Sequence, residues 1–316
     1  MKNDISRFGS ALLTFVLLII ATDILIGIVF DKTIQHLPNY SGDLAKDNYR
    51  LHRMETDIVI IGSSRGSHHY VTKQLNDSID AYLGQHYSLY NAAIDGKFAN
   101  SNSCAAEVVV SRYHPKLVIY DLSESQLRGK QTDIKFSTPY YWTDTIVHRY
   151  LDNLGAKERA LMKSSMYRYN SKLLSIAVNF LQSVPEDDGY EPIYGTSIDT
   201  IQINKTQTST KRGISDNHLN EYSKQNFINA LNRYKSAHVP LVIVCSPQFR
   251  PSNNNQQLKK ICDSLDIPFI EFYDTPYFNA HPELFKDISH LNDAGAHEYT
   301  ALFFEQLKQY LNLIEE

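Results

Sequence analysis

Apolar residues along this chain fall into two kinds of run. One is long and continuous: from Ala11 to Phe30 nearly every position is Leu, Ile, Val, Phe or Ala. The others are short, rich in β-branched residues and closed by polar or glycine positions, at 57–62, 87–94, 117–121, 239–245 and 267–273. Such runs have the length and composition of strands buried on both faces. Between and after them, helical patterns cover about 65–80, 100–113, 254–265 and 293–312. Strands alternating with helices predict βαβ units, hence an α/β fold with a doubly wound, parallel, five-stranded sheet. The division expected is a stub and anchor over 1–30, a polar tether over 31–54 and one main domain over 55–316. An insertion at about 125–236, between the third and fourth strands, is expected to cap that domain.

About 20 apolar residues span the hydrocarbon core of a bilayer, so the first run predicts a transmembrane helix. A signal peptide is the competing reading, but its apolar region is usually shorter and ends in a small-residue cleavage site, which this run lacks. Lys2 and Arg7 precede the run, and the first basic residue after it is Lys32. That bias places the N-terminus in the cytoplasm and the main domain in the periplasm or outside the cell. Asp23 interrupts the apolar run. An ionisable group there is a functional hypothesis by default: it either meets a polar group of a partner membrane protein or is hydrated near the outer helix end.

A net charge of −4 and a pI near 6.3 remove the electrostatic case for nucleic-acid binding. Cys104, Cys245 and Cys262 are widely spaced and no His/Cys cluster accompanies them, so neither a metal nor any other cofactor is expected. Cys245, inside the fourth apolar run, is expected to be a small buried hydrophobe.

The candidate chemistry lies in two short blocks. Gly62-Ser63-Ser64 closes the first strand, and Asp287-Ile288-Ser289-His290 precedes the last helix. A serine hydroxyl becomes a useful nucleophile when an imidazole takes its proton and a carboxylate orients that imidazole. Asp-x-x-His supplies both partners from one loop. A serine just past a buried strand stands at the carboxyl edge of the sheet, where open α/β folds bind ligands. Ser64, His290 and Asp287 are therefore the expected nucleophile, base and orienting acid. The adjacent His68 and His69 are expected to point away from the nucleophile or cover it. Arg65 is expected to meet an anionic group or solvate the helix start, and His297 to lie on the surface. The aromatic residues of the insertion (Tyr140, Tyr141, Trp142, Tyr150, Tyr167, Tyr169) either stack on sugar rings or pack the cap.

In these blocks the chain resembles the SGNH/GDSL hydrolase superfamily, whose sheet is flavodoxin-like. The nucleophile block corresponds to Gly62-Ser63-Ser64-Arg65, the oxyanion-glycine block to Asn91-Ala92-Ala93-Ile94-Asp95-Gly96, and the Asp-x-x-His to Asp287 and His290. The resemblance covers roughly 55–125 and 237–312. It implies an oxyanion hole built from the backbone N–H groups of Ser64 and Gly96. The family's third block, Gly-x-Asn-Asp, is replaced by Asp121-Leu122-Ser123-Glu124-Ser125, so its asparagine donor is missing. With a single anchor, the chain is similar to the membrane-bound branch that serves D-alanyl transfer to teichoic acid and alginate O-acetylation. That implies acyl-serine chemistry on O-acyl groups of an envelope polysaccharide, by hydrolysis or transfer, on an acylated glycan or acyl donor. It also implies a multi-spanning membrane O-acyltransferase as partner, met through Asp23. A degenerate SGNH fold acting only as scaffold is the alternative.

Overall fold

The computed structural model of the chain describes residues 2–37, 43–128, 131–181, 188–198 and 218–314. Two compact units divide it: Met1–Asn39 with Lys135–Val184, and Tyr40–Ile134 with Pro185–Glu316. In chain order the elements are α1 Lys2–Thr33, α2 Asp43–His52, β1 Ile58–Ile61, α3 Ser64–His69, α4 Thr72–Leu83, β2 Leu89–Asn91, α5 Ala99–Arg112, β3 Leu117–Asp121 and α6 Glu124–Leu127. After a 3₁₀ stretch at Gln131–Tyr140 come α7 Thr145–Asp152, α8 Ala156–Met162, α9 Ser165–Arg168 and α10 Leu173–Leu181. Then follow α11 Glu221–Ala237, β4 Leu241–Cys245, α12 Gln256–Ser264, β5 Phe269–Glu271, α13 Pro276–Ala280 and α14 Asp293–Leu311.

In the second unit the strands form a five-stranded sheet of order β2-β1-β3-β4-β5, parallel at every described pairing. The predicted doubly wound α/β class is the observed one. Successive side chains of a strand point to opposite faces, and here each face has its own core. Val59, Ile61, Val118, Tyr120, Ile243 and Cys245 pack with residues of α5, α11 and α12. Ile58, Ile60, Leu117, Ile119, Val242 and Val244 pack with residues of α4 and α14, including Leu75, Ile79, Tyr299 and Phe303. Because both faces are covered, the strands are continuously apolar. β1 lies between β2 and β3, so the chain leaves it in opposite directions on successive crossovers. The carboxyl ends of β1 and β3 therefore form the topological switch point where such sheets place ligands.

Two boundaries differ from the sequence expectation. Residues 43–52 of the presumed tether form α2, in which Lys46, Asp47 and Arg50 are buried. Their charges neutralise one another and their neighbours, which is how a polar segment comes to lie inside. The C-terminal end of the presumed insertion is α11. Its Phe227, Ala230, Leu231 and Tyr234 belong to the main core, because β4 needs a covering helix on that face. Residues 135–181 fall in the unit that contains α1. There Tyr140, Tyr141, Tyr150 and Tyr169 are buried, whereas Trp142 is exposed, so most of these rings pack within their own unit. Residues 182–187 and 199–217 of the presumed insertion lie outside the described residues. Among the described residues, one helix, Ile5–His36, is long and apolar enough to cross a membrane.

Candidate active site

Ser64 is the first residue of α3, three residues beyond the end of β1 and two beyond Gly62. Three close contacts fix the start of α3. Asn91, at the end of β2, donates through Nδ2 to the Gly66 carbonyl at 2.8 Å. Ser67 Oγ donates to the Ala93 carbonyl at 3.0 Å. A Cβ on Gly66 would lie 2.6 Å from the Ala93 Cβ, so only glycine allows this approach of α3 to the end of β2.

The other half of the site is the loop before α14. Phe249 N donates to the Ile288 carbonyl at 3.0 Å, and Lys286 N to the His290 carbonyl at 2.8 Å. Asp287 Oδ1 accepts the backbone N–H groups of Ser289 and His290, at 2.8 and 3.0 Å. Its two oxygens both lie 3.0 Å from His290 Nδ1. A carboxylate can only accept, so Nδ1 carries hydrogen, and in the neutral ring the lone pair is then on Nε2. That nitrogen is 2.8 Å from Ser64 Oγ. Burial alone would raise the Asp287 carboxyl. The hydrogen bonds from the His290 ring and the two backbone N–H groups outweigh it and hold the group below its ordinary value, ionised at neutral pH. All three side chains are partly exposed, so a substrate can reach the serine. The chain thus brings together a hydroxyl, an imidazole in the accepting tautomer and an orienting carboxylate, with the distances nucleophilic catalysis needs.

Gly96 adopts a φ of 68°, the left-handed conformation that favours glycine. It sits in the turn closed by Lys97 N and the Ile94 carbonyl, 3.2 Å apart. The Ile94 N–H donates to the Gly62 carbonyl at 3.1 Å, which brings this turn beside the segment leading to Ser64. In place of the absent asparagine, the chain after β3 turns into α6, and Gln126 Nε2 donates to Ser63 Oγ at 3.1 Å.

Arg65 neither solvates the helix start nor faces out. It is buried, with its guanidinium 5.0 Å from the centroid of the Tyr273 ring and Nη1 donating to Gln248 Oε1 at 3.2 Å. His69 is fully buried. Its Nε2 accepts the Leu291 N–H at 3.0 Å, so the ring is neutral and ties α3 to the residue after His290. Burial, with His290, Arg65 and His68 nearby, pushes its pKa well below the ordinary value.

His68 is the residue that sequence reasoning undervalued. Its Nε2 lies 3.0 Å from Asp95 Oδ2 and its Nδ1 2.6 Å from the Glu191 carbonyl oxygen. Both partners are acceptors only, so both ring nitrogens carry hydrogen and the ring is an imidazolium. Burial acts against that charge, but Asp95 and the Glu191 carbonyl outweigh it and raise the His68 pKa. The ring stands edge-on to His290, centroids 5.7 Å apart. Asp95, His68 and Glu191 each bring a potential metal-ligand atom to within 4.8 Å of one another. The His68 ring, however, is engaged by Asp95 and the Glu191 carbonyl, and the Glu191 carboxylate is paired with Lys46 at 2.9 Å.

The sign of this pKa shift sets a test. Stability contributed by His68 is fully present below its unfolded pKa near 6.5 and is lost as pH rises through the higher folded value. The gap in thermal midpoint between wild type and His68→Gln is therefore expected to be widest on the acid side and to close with rising pH. A gap that stays constant from about pH 5 to about pH 9 would mean that the ring does not titrate as described.

No family model and no curated protein sequence matches this chain. Among solved structures, it aligns with a Bacteroides fragilis NCTC 9343 protein assigned provisionally as an acylhydrolase, at 13% identity and a TM-score of 0.37, over 88% of this chain and 96% of the other.

Proposed function

We propose that the protein is a membrane-anchored serine esterase or acyltransferase acting on O-acyl groups of an extracytoplasmic polysaccharide. The observation that carries this reading is the 2.8 Å contact of Ser64 Oγ with His290 Nε2, in a ring whose Nδ1 faces Asp287 at 3.0 Å. In the proposed reaction His290 takes the Ser64 proton as Oγ attacks the acyl carbonyl carbon. The negative charge moves to the carbonyl oxygen, facing the N–H groups assigned to Ser64 and Gly96. When the tetrahedral species collapses, the C–O bond to the alcohol breaks and the leaving oxygen takes the proton from His290. The acyl-serine is then attacked by water or by a sugar hydroxyl, with His290 again accepting a proton, which it returns to Ser64 Oγ as the acyl–Oγ bond breaks. Asp287 stays ionised throughout and stabilises the imidazolium.

A hydroxyl-rich substrate is supported by a pocket at the same carboxyl edge of the sheet. The loops after β3 and β4 enclose a pocket of about 530 Å³, lined by Glu124, Ser125, Arg128, Ser252, Asn253, Asn254, Gln256 and Gln257. Glu124 and Arg128 neutralise each other at 2.5 Å, leaving amides and hydroxyls that donate and accept as sugar hydroxyls do. Transfer, as opposed to hydrolysis, would need an acyl donor delivered by a membrane O-acyltransferase. Asp23 is already held by Ser164 and Met166 of its own chain. Such a partner would therefore meet the exposed apolar side of α1 rather than this carboxylate.

The test is labelling of the full-length protein with a fluorophosphonate probe. Wild type is expected to be labelled, and Ser64→Ala and His290→Ala are not. Absence of labelling in folded wild type, or labelling that survives in Ser64→Ala, would overturn the reading and favour a scaffold without acyl chemistry.

A further inference from the structure

One face of α1 is built to hold another part of the chain. Asp23, Gly27 and Asp31 are spaced i, i+4 and i+8, so they form a single stripe along the helix. Asp23 Oδ1 accepts Ser164 Oγ at 2.8 Å and Met166 N at 2.6 Å. A Cβ on Gly27 would lie 2.5 Å from Ser165 Oγ, so any larger residue here would force the Ser165 side chain to shift. Arg168 grips both oxygens of Asp31, at 2.5 and 3.0 Å, and Tyr169 Oη donates to the same carboxylate at 2.6 Å. The Phe30 and Tyr169 rings meet at 5.5 Å. Segment 164–169 therefore runs along the last turns of the anchor, over about 12 Å of helix axis.

Whatever touches Asp23 lies at the depth of Asp23. Ile5–Thr22 is already about 27 Å of helix, close to the thickness of a hydrocarbon core. Ending the core there places Asp23 to Asp31 across the headgroup layer. The charges nearby select this register over one in which the core extends to Phe30. Lys157, Arg159 and Lys163, just before segment 164–169, are exposed, and exposed cations belong among headgroups rather than acyl chains. Between 135 and 181 the chain has seven Lys and Arg against three Asp and Glu, although the whole protein carries a net −4. Four residues past the end of the segment, α10 (Leu-Leu-Ser-Ile-Ala-Val-Asn-Phe-Leu) leaves Leu174 75% and Leu181 84% exposed. Basic residues beside exposed Leu and Phe, on a part fixed to a membrane helix, are the composition of an interfacial element.

We propose that residues 156–181 form a second membrane contact, with Lys157, Arg159 and Lys163 at the lipid phosphates and the exposed side of α10 at the acyl boundary. The Asp23–Gly27–Asp31 stripe holds them there. This rests on the reading of α1 as a membrane anchor, and the test separates the two. Full-length protein in nanodiscs of phosphatidylcholine and phosphatidylglycerol would carry one spin label at Leu174→Cys, Leu181→Cys, Leu17→Cys or Lys259→Cys. The native cysteines are buried. Accessibility to oxygen and to a water-soluble nickel chelate would then be measured.

Labels at 174 and 181 are expected to admit oxygen and exclude nickel several-fold relative to 259. Asp31→Asn is expected to raise nickel access at 174 without changing 17. Nickel access at 174 and 181 equal to that at 259, with 17 still in lipid, would overturn this inference alone. Nickel access at 17 would overturn the anchor reading. Exclusion of both reagents at 174 and 181 would mean that protein, not lipid, covers α10, and would also overturn the proposal.

Discussion

Replacement of His290 by alanine is expected to lower turnover on a small acyl ester by about 10⁴- to 10⁶-fold, and Ser64→Ala by a similar factor. Without Nε2 at 2.8 Å from Oγ, the serine keeps its proton and is a poor nucleophile at neutral pH. In the proposed reaction the two residues share one proton transfer. The double variant should therefore be no slower than either single one, because the second substitution removes an interaction already lost. Asp287→Asn should cost about 10⁴-fold, although Asn is nearly isosteric. A carboxamide can present its NH₂ to Nδ1, which shifts the ring hydrogen to Nε2 and leaves no base facing Ser64. Steady-state kinetics on the four variants checks this. Near wild-type turnover in His290→Ala, or clearly additive losses in the double variant, would exclude the proposed proton transfer.

The parts of this site that could be read from sequence are those in which local pattern and chemistry coincide. β1 is Ile-Val-Ile-Ile closed by a glycine, and a serine at that point can only be at the strand's carboxyl end. Asp287 and His290 are three residues apart, so a single loop sets their geometry. Strands β1 to β5 were legible for a similar reason, since both faces are buried and no alternation is needed to recognise them. What pattern does not carry is pairing at long separation. His68 looks like one of two adjacent polar residues on a short helix. It becomes an imidazolium because Asp95, 27 positions on, and the Glu191 carbonyl, 123 positions on, both face its ring. Asp23 looked like a charge that either met an outside partner or was hydrated near the helix end, because Ser164 is 141 residues away. The polar face of α2 resembled a solvated tether because the cations and anions that bury it sit on other elements or one turn apart.

That last misreading exposes the position where stability should be most sensitive. Asp47 is 1% exposed and stands between two buried cations: Oδ1 accepts from Arg50 Nε at 2.8 Å, and Oδ2 lies 3.3 Å from Lys97 Nζ. Arg50 is 1% and Lys97 2% exposed. Asp47→Asn keeps the shape but removes the negative charge that both of these contacts share. Uncompensated buried charge of this kind costs about 3–5 kcal/mol, a large share of the roughly 5–15 kcal/mol by which a domain is stable. Lys97→Met should cost less, because it removes one cation and leaves Asp47 paired with Arg50. Denaturant melts of the three proteins would separate these cases, and equal midpoints for Asp47→Asn and Lys97→Met would rule out the charge argument. The consequence also reaches the chemistry. Lys97 directly follows Gly96, and its carbonyl accepts Asn102 Nδ2 at 2.9 Å. The ion pair with Asp47 thus fixes one end of the turn that carries the proposed oxyanion donor. Under conditions where Asp47→Asn remains folded, its turnover should fall while fluorophosphonate labelling of Ser64 persists, since the Ser64–His290 contact does not pass through α2.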